Sequence, residues 1–343
     1  MKIFKNWEYW PAYMYYLPNI PYAIYLALKS KSLVFFSITN PAIKHSGNGY
    51  ESKFETLKLI PPKQKPISIF IQKNECLNTV LNKIKEKNLH YPLIIKPDIG
   101  FRGLLVKQLK TEKDLTQYLS KNNCIDLILQ EFISYKNECG IFYYRLPNSE
   151  KGYITSITLK KFLTVIGDGK SSLLNLIKND ERAFHYLELL TELHNNKLYS
   201  IPLKNEEVVL NVIGNHSKGT QFINGNHLIS RDLEKSIDSF MKEIPDFYYG
   251  RLDIKYNSID NVIKKQEFKV LEINGIIAEP THIYDASKGT YFKALKAIRE
   301  HWKIISEITK QNKKNGFNYE TISCFIKSLI HLKKYTSFIK SIV

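Results

Sequence analysis

Asp253, Glu272 and Asn274 bring three oxygen donors within a short stretch of the chain. Side chains two apart on a strand share one face. Glu272 and Asn274 therefore point the same way, and so do Arg251 and Asp253 on the strand expected before them. If GRLDIKY and LEINGI pair, three oxygen ligands and a guanidinium converge on one surface. Oxygen donors without His or Cys suit Mg²⁺, which keeps waters and takes phosphate oxygens as further ligands. That chemistry implies a nucleotide. Taken alone, the same residues also fit solvated charges on an amphipathic hairpin.

Two further segments carry chemistry. PLIIKPDIGFRGLLV reads as an apolar strand ending in Lys96, with Gly100 and Gly103 flanking a turn. Glycines let backbone approach phosphate oxygens, and a lysine supplies a point charge. The segment matches neither GxxxxGK[ST] nor GxGxxG, and a plain hairpin with a solvated lysine is the competing reading. LILQEFI, with Gln130, Glu131, Phe132 and Ile133, offers backbone groups and apolar walls to an adenine. Glu138 follows, able to accept from ribose hydroxyls. An edge strand carrying surface acids would have the same composition.

These residues need elements to hold them. Residues 67–90 give the strand ISIFI, then a helix with Leu77, Val80, Leu81 and Ile84 at helical spacing. A helix over 111–119 precedes LILQEFI, and CGIFYYRL continues as a strand. ITLKKFLTVIGDGKSSLLNLI reads as strand, GDG turn and helix, capped by Ser171 or Ser172. Residues 180–200 read as helix, and 206–229 as strands around GNHSKGT. A final helix is expected over 289–308. Beyond Lys310, Ile322, Phe325, Ile326 and Leu329 recur at helical spacing in a Lys-rich tail, the pattern of a basic amphipathic helix.

The chain has 343 residues, enough for two or three packed subdomains. Its four cysteines stand far apart, with no CxxC and no Cys/His spacing that suits zinc, so reduced thiols in a cytosolic protein are expected. The opening residues do not form a signal peptide. Pro11, Pro18 and Pro21 break the apolar stretch 9–28, which is too interrupted to span a bilayer. Its Tyr and Trp residues still suit a membrane surface. The formal charge of +17 is mostly lysine and spread along the chain. No RNA-binding signature accompanies it, so no nucleic-acid partner is expected.

In order and spacing these motifs resemble the ATP-grasp superfamily, most closely D-alanine–D-alanine ligases and cyanophycin synthetases, over about residues 50–305. The resemblance implies an α+β ATP-grasp fold in which two α+β subdomains clamp ATP. A short aromatic-rich region (1–66) would precede the ATP-grasp domain (67–308), and a basic helical tail (309–343) would follow it. Glu51-Ser52-Lys53 resembles the family's early lysine element, with Lys53 and Lys96 as the two ATP lysines. PDIGFRGLLV resembles the hairpin covering the phosphates, with Gly100, Arg102 and Gly103. LILQEFISYKNE resembles the adenine hinge and ribose glutamate, one residue longer than in many relatives. Asp253, Glu272 and Asn274 take the place of the metal ligands for Mg²⁺, two ions in the family pattern, with Mn²⁺ as a substitute. Arg251 takes a catalytic place at the oxyanion. The loop with His216 and Lys218 sits where relatives carry a substrate or phosphate loop.

The implied activity is ligation of a small-molecule carboxylate to an amine through an acyl phosphate. Two features depart from the pattern. Only about 66 residues precede ISIFI, and LEINGIIAEPTH lacks the Pro-Gly that often follows the metal Asn. Both bear on the substrate, which the sequence leaves open along with oligomeric state. Other readings stay open: an ATP-grasp phosphotransferase, a regulatory module that binds nucleotide without turnover, and a cytoplasmic protein held at a membrane by the N-terminal aromatics and basic tail.

Overall fold

Apolar alternation builds the first sheet. In the computed structural model, which describes residues 7–100 and 103–342, helix α1 (Ile20–Lys29) precedes the short helix α2 (Lys53–Lys58). The Ser52 side chain caps α2 by accepting from the Glu55 amide. Strand β1 (Ser68–Ile71), helix α3 (Leu77–Glu86), strands β2 (Leu93–Pro97) and β3 (Lys107–Leu109), helix α4 (Glu112–Asn122) and strand β4 (Leu127–Glu131) follow. The strands form an antiparallel sheet in the order β1-β4-β2-β3. Its buried face carries Ile69, Ile71, Leu93, Ile95, Leu127 and Leu129 against Val80 of α3 and Leu115 of α4. Each such side chain contributes about 1.5–3 kcal/mol on full burial. Thr111 and Asp114 close a capping box that starts α4.

The second sheet holds the longer strands. β5 (Asn137–Arg145) and β6 (Gly152–Lys161) form an antiparallel pair. The chain then runs through β7 (Thr164–Ile166), α5 (Leu173–Asn179), β8 (Glu207–Val209) and β9 (Gln221–Asn224) to α6 (Arg231–Met241), β10 (Tyr249–Tyr256) and β11 (Phe268–Asn274). β10 lies between β11 and β5, antiparallel to both. Phe240, Met241, Phe247, Leu252 and Ile254 are among the side chains of its core. Helices α7 (Tyr291–Lys314) and α8 (Ile322–Ser341) close the chain. The fold is α+β.

Two compact units result, one of residues 1–159 and 224–343, the other of residues 160–223. The smaller has its own core of Leu163, Val165, Leu173, Ile177, Ala183, Leu190 and Leu210. There the Ser172 side chain caps α5, and β7 pairs with β8.

Two expectations change. Residues 180–200 hold two short helices, Glu181–Phe184 and Leu187–Leu193, because Tyr186 leaves helical geometry between them. The helix expected over 289–308 runs from Tyr291 to Lys314, since Thr290 caps its start and Thr309 and Asn312 are buried beyond 308, Asn312 Nδ2 donating to the Ile38 carbonyl at 2.7 Å. The expected tail helix is present, with Ile322, Ile326 and Leu329 exposed. Tyr335, Ile339 and Ile342 at its far end pack on the core of the first sheet. Among the described residues, no helix is long and apolar enough to cross a membrane.

Candidate active site

The central pair of strands sets the geometry. Asp253 stands directly opposite Glu272, and Arg251 opposite Asn274. The four side chains therefore share one face of the β10–β11 ribbon. On the other side of β10, Asp253 faces Gly140 of β5. A Cβ on Gly140 would lie 2.9 Å from Arg251 Cδ and 3.2 Å from Asp253 Oδ1. Glycine there is what lets both side chains lie over β5.

Each charge has a counter-charge. Arg251 Nε donates to Asp253 Oδ1 at 2.9 Å and Nη2 donates to Oδ2 at 3.3 Å. Its Nη1 donates to the Glu279 carbonyl at 3.1 Å. Burial works against the guanidinium charge and Asp253 more than offsets it, so the Arg251 pKa is raised. Lys53, on the first turn of α2, forms an ion pair with Glu272. Burial opposes ionisation of both, but the pair wins: the Lys53 pKa is raised and that of Glu272 lowered.

Lys96, at the end of β2, is buried. Its Nζ donates to Gln130 Oε1 and to the Leu271 carbonyl, each at 3.3 Å. Burial pushes its pKa down to about 8, with the Glu272 charge working in the other direction. Lys96 from the first sheet and Lys53 from α2 thus meet Glu272 of the second sheet. Asp98 fixes the entry of α2, accepting from the Phe54 amide and Ser52 Oγ at 2.9 Å each. Burial raises the Asp98 pKa.

Gln130 is buried in β4 and donates to Ser68 Oγ at 3.1 Å. The Glu131 amide donates to the Ile67 carbonyl at 2.8 Å, and its carboxylate accepts from the Ile67 amide at 3.1 Å. Those groups of the expected hinge are occupied within the fold. Phe132 and Ile133 lie just past β4, where Lys255 Nζ donates to the Ile133 carbonyl at 3.1 Å and sits over the Phe132 ring. Glu138 is buried on β5, directly opposite Lys255.

Gly100 and Gly103 follow β2. Gly103 has φ +68, and a Cβ on Gly100 would crowd Pro97 at 3.3 Å. Arg102 lies outside the described residues. His216 and Lys218 form a single tight turn in the smaller unit, closed by Gly219 at φ +97. There the His216 ring packs near Phe222, and the Lys218 carbonyl accepts from Asn211.

No family model matches the sequence, and no curated protein matches it. Solved structures similar to it are ATP-grasp-type ligases and synthetases. D-alanine–D-alanine ligase from Bacillus anthracis is 15% identical with a TM-score of 0.45, over 79% of this chain and 72% of that one. A bifunctional glutathione synthetase from Pasteurella multocida is 16% identical with a TM-score of 0.38, over 73% of this chain. This chain spans only 36% of that one. Carboxyaminoimidazole ribonucleotide synthase from Aspergillus clavatus, in complex with ATP, is 9% identical with a TM-score of 0.46, over 78% of this chain and 54% of that one.

The donor set itself fits a hard cation. Two carboxylates and an amide share a face, and the Asn274 amide nitrogen is buried without a partner among the described residues. A half-turn of that amide presents its oxygen at the same place. The burial cost of such an orphaned group is of order 1–3 kcal/mol, which a ligand would relieve.

Several site residues escaped the sequence reading. Lys255 continues the alternation Arg251, Asp253, Lys255, so the spacing held the signal. Gly140 and Asp98 lie inside segments read for other features. Glu279 accepts from Tyr16 and, at 2.9 Å, from the Tyr284 hydroxyl. Tyr16 is 263 residues from Glu279 in sequence, and nothing local connects them.

Proposed function

We propose that this chain is an ATP-dependent carboxylate–amine ligase. The observation that carries the reading is the register setting Asp253 against Glu272 and Arg251 against Asn274, with Lys53 and Lys96 beside Glu272. A regulatory module that only binds nucleotide has little need for all of these groups together.

Asp253, Glu272 and Asn274 would hold Mg²⁺ or Mn²⁺, whose charge offsets that of the phosphates during transfer. Lys53 and Lys96 hold phosphate oxygens. The Gly100–Gly103 segment, with Arg102, is assigned to covering them and excluding water. Phe132 and Ile133 flank the adenine beside Gln130 and Glu131, and Glu138 accepts from the ribose. A substrate carboxylate oxygen attacks the γ-phosphorus, and ADP leaves as the bridging P–O bond breaks. An amine then attacks the acyl carbon, loses a proton, and phosphate departs. Arg251 donates to the oxyanion, where loss of one donor costs about 2.7–4 kcal/mol. His216 and Lys218 are assigned to substrate.

The deciding experiment measures ADP and phosphate release, with Mg²⁺, against a library of amino acids, dipeptides and hydroxy acids, with products read by mass spectrometry. A new amide with stoichiometric ADP is expected, abolished by chelator and restored by Mg²⁺ or Mn²⁺. Phosphorylated product without an amide would make the protein a phosphotransferase. ATP binding with no turnover across the library would favour a regulatory module.

Contact with a membrane surface is part of the proposal, at a cytoplasmic location. Tyr13, Leu17, Ile24 and Leu28 near the N-terminus are exposed, as are Ile322, Ile326, Leu329 and Phe338 of α8. Lys327, Lys333, Lys334 and Lys340 lie on the same helix. Such a combination favours an anionic lipid surface.

A further inference from the structure

The loop His45–Gly49 and the start of α8 come together far from one another in sequence. His45 Nδ1 lies 2.7 Å from Glu320 Oε1, across 275 residues. Cys324, one turn beyond Glu320, completes the group. One donor atom from each of the three residues lies within 4.8 Å of the others. It is the one such group of His, Cys, Asp and Glu among the described residues.

Four features favour a ligand there. The donors are of three kinds, nitrogen, oxygen and sulfur, which is the set that borderline-soft cations take. Tetrahedral zinc with bonds of about 2.0–2.3 Å sets its donor atoms about 3.5 Å apart, so the present spacing needs only side-chain adjustment. The second carboxylate oxygen of Glu320 is buried with no hydrogen-bond partner among the described residues. The scaffold is also held from both sides. The Glu320 amide donates to Ser37 Oγ at 3.0 Å, and Asn48 Nδ2 donates to Ser328 Oγ at 3.1 Å. Thr321 caps the helix that presents Cys324, accepting from its amide at 3.1 Å. Cys324 is a free, exposed thiol, so the site has an entry path.

We propose that His45, Glu320 and Cys324 form a site for a divalent cation of the zinc class, with water as fourth ligand. On binding, the thiol gives up its proton to solvent and the sulfur–metal bond forms. The inference is independent of the nucleotide reading, because none of these residues belongs to the ATP site. It revises the sequence expectation that no Cys/His set suits zinc. That expectation concerned local spacing, and this set is assembled only by the fold.

The test uses the full chain stripped of metal and titrated with Co²⁺ alone. A thiolate-to-cobalt charge-transfer absorption should saturate near one equivalent and be displaced by Zn²⁺. It should vanish in Cys324→Ser and persist in Cys76→Ser and Cys124→Ser. Glu320→Gln should weaken Zn²⁺ binding at least tenfold in competition with a chromogenic chelator. Zn²⁺ should raise the melting temperature of the wild type and not that of Cys324→Ser. Because Cys324 is exposed, the metal-free variant should melt like the metal-free parent. Absence of the sulfur-linked band in the wild type, or its survival in Cys324→Ser, would overturn the proposal.

Discussion

Lys96 is a cation kept where charge is costly. Burial brings its pKa down to about 8, so the free protein starts to lose that charge just above neutrality. ATP affinity should therefore weaken as pH rises through about 8, and binding above that pH should draw a proton from solvent. Calorimetry in buffers of different ionisation enthalpy reads that uptake directly, and a pH-independent affinity between 7 and 9.5 would exclude it. The sign for stability is the reverse. A lysine whose folded pKa is depressed binds fewer protons folded than unfolded between about 8 and 10.5, so its burden is greatest at low pH and fades as pH rises. Lys96→Met should melt no lower than the parent at pH 7, yet bind ATP about tenfold or more weaker, since a charge-assisted contact is worth about 1.5–3 kcal/mol. At the facing carboxylate, Asp253→Asn should leave the fold intact and abolish ATP turnover. A variant with an unchanged melting curve and full substrate-dependent ADP release would remove Asp253 from the site.

At the scale of elements, the ribbon β10–β11 was legible because two-residue periodicity fixes which side chains share a face. The same logic reaches Arg251, Asp253, Glu272 and Asn274, and Lys255 lies two residues further along the same alternation. Neighbouring strands were less legible. That β5 places Gly140 under Arg251 depends on pairing between segments over a hundred residues apart, for which a lone glycine gives no sign. Gly140→Ala tests the fit. The added methyl meets Arg251 Cδ at 2.9 Å, and overpacking of this kind costs about 1–3 kcal/mol. Turnover should fall at least tenfold while the far-UV spectrum stays unchanged. Retained activity would mean that the guanidinium does not need its present position. The helical spacing in α8 was legible too, but periodicity says which residues share a face and not what covers that face.

For the molecule as a whole, a formal charge of +17 favours association with anions and makes it sensitive to salt. Combined with the exposed apolar residues of α8, it leads to a sedimentation experiment. The full chain should pellet with anionic vesicles and not with neutral ones. Replacing Ile322, Ile326 and Leu329 together by Asp should release it without altering its melting temperature. Failure of the parent to pellet, or pelleting by the triple variant, would leave α8 with no part in lipid contact.

Gly47 and Gly275 meet without side chains between them. A Cβ on Gly47 would lie 2.6 Å from Gly275 Cα, and one on Gly275 would lie 2.2 Å from the Ser46 carbonyl oxygen. The carbonyls of Ser46 and Gly47 accept from the amides of Ile276 and Ile277 at 3.0 Å each. Side-chain contacts can usually be repaired by trading volume, one partner shrinking as the other grows. Here there is no volume to trade. A change at either glycine has no compensating change at the other, so this junction beside Asn274 admits no second-site suppressor across the contact. A suppressor screen starting from Gly47→Ala should therefore yield revertants at position 47 itself and none at 275.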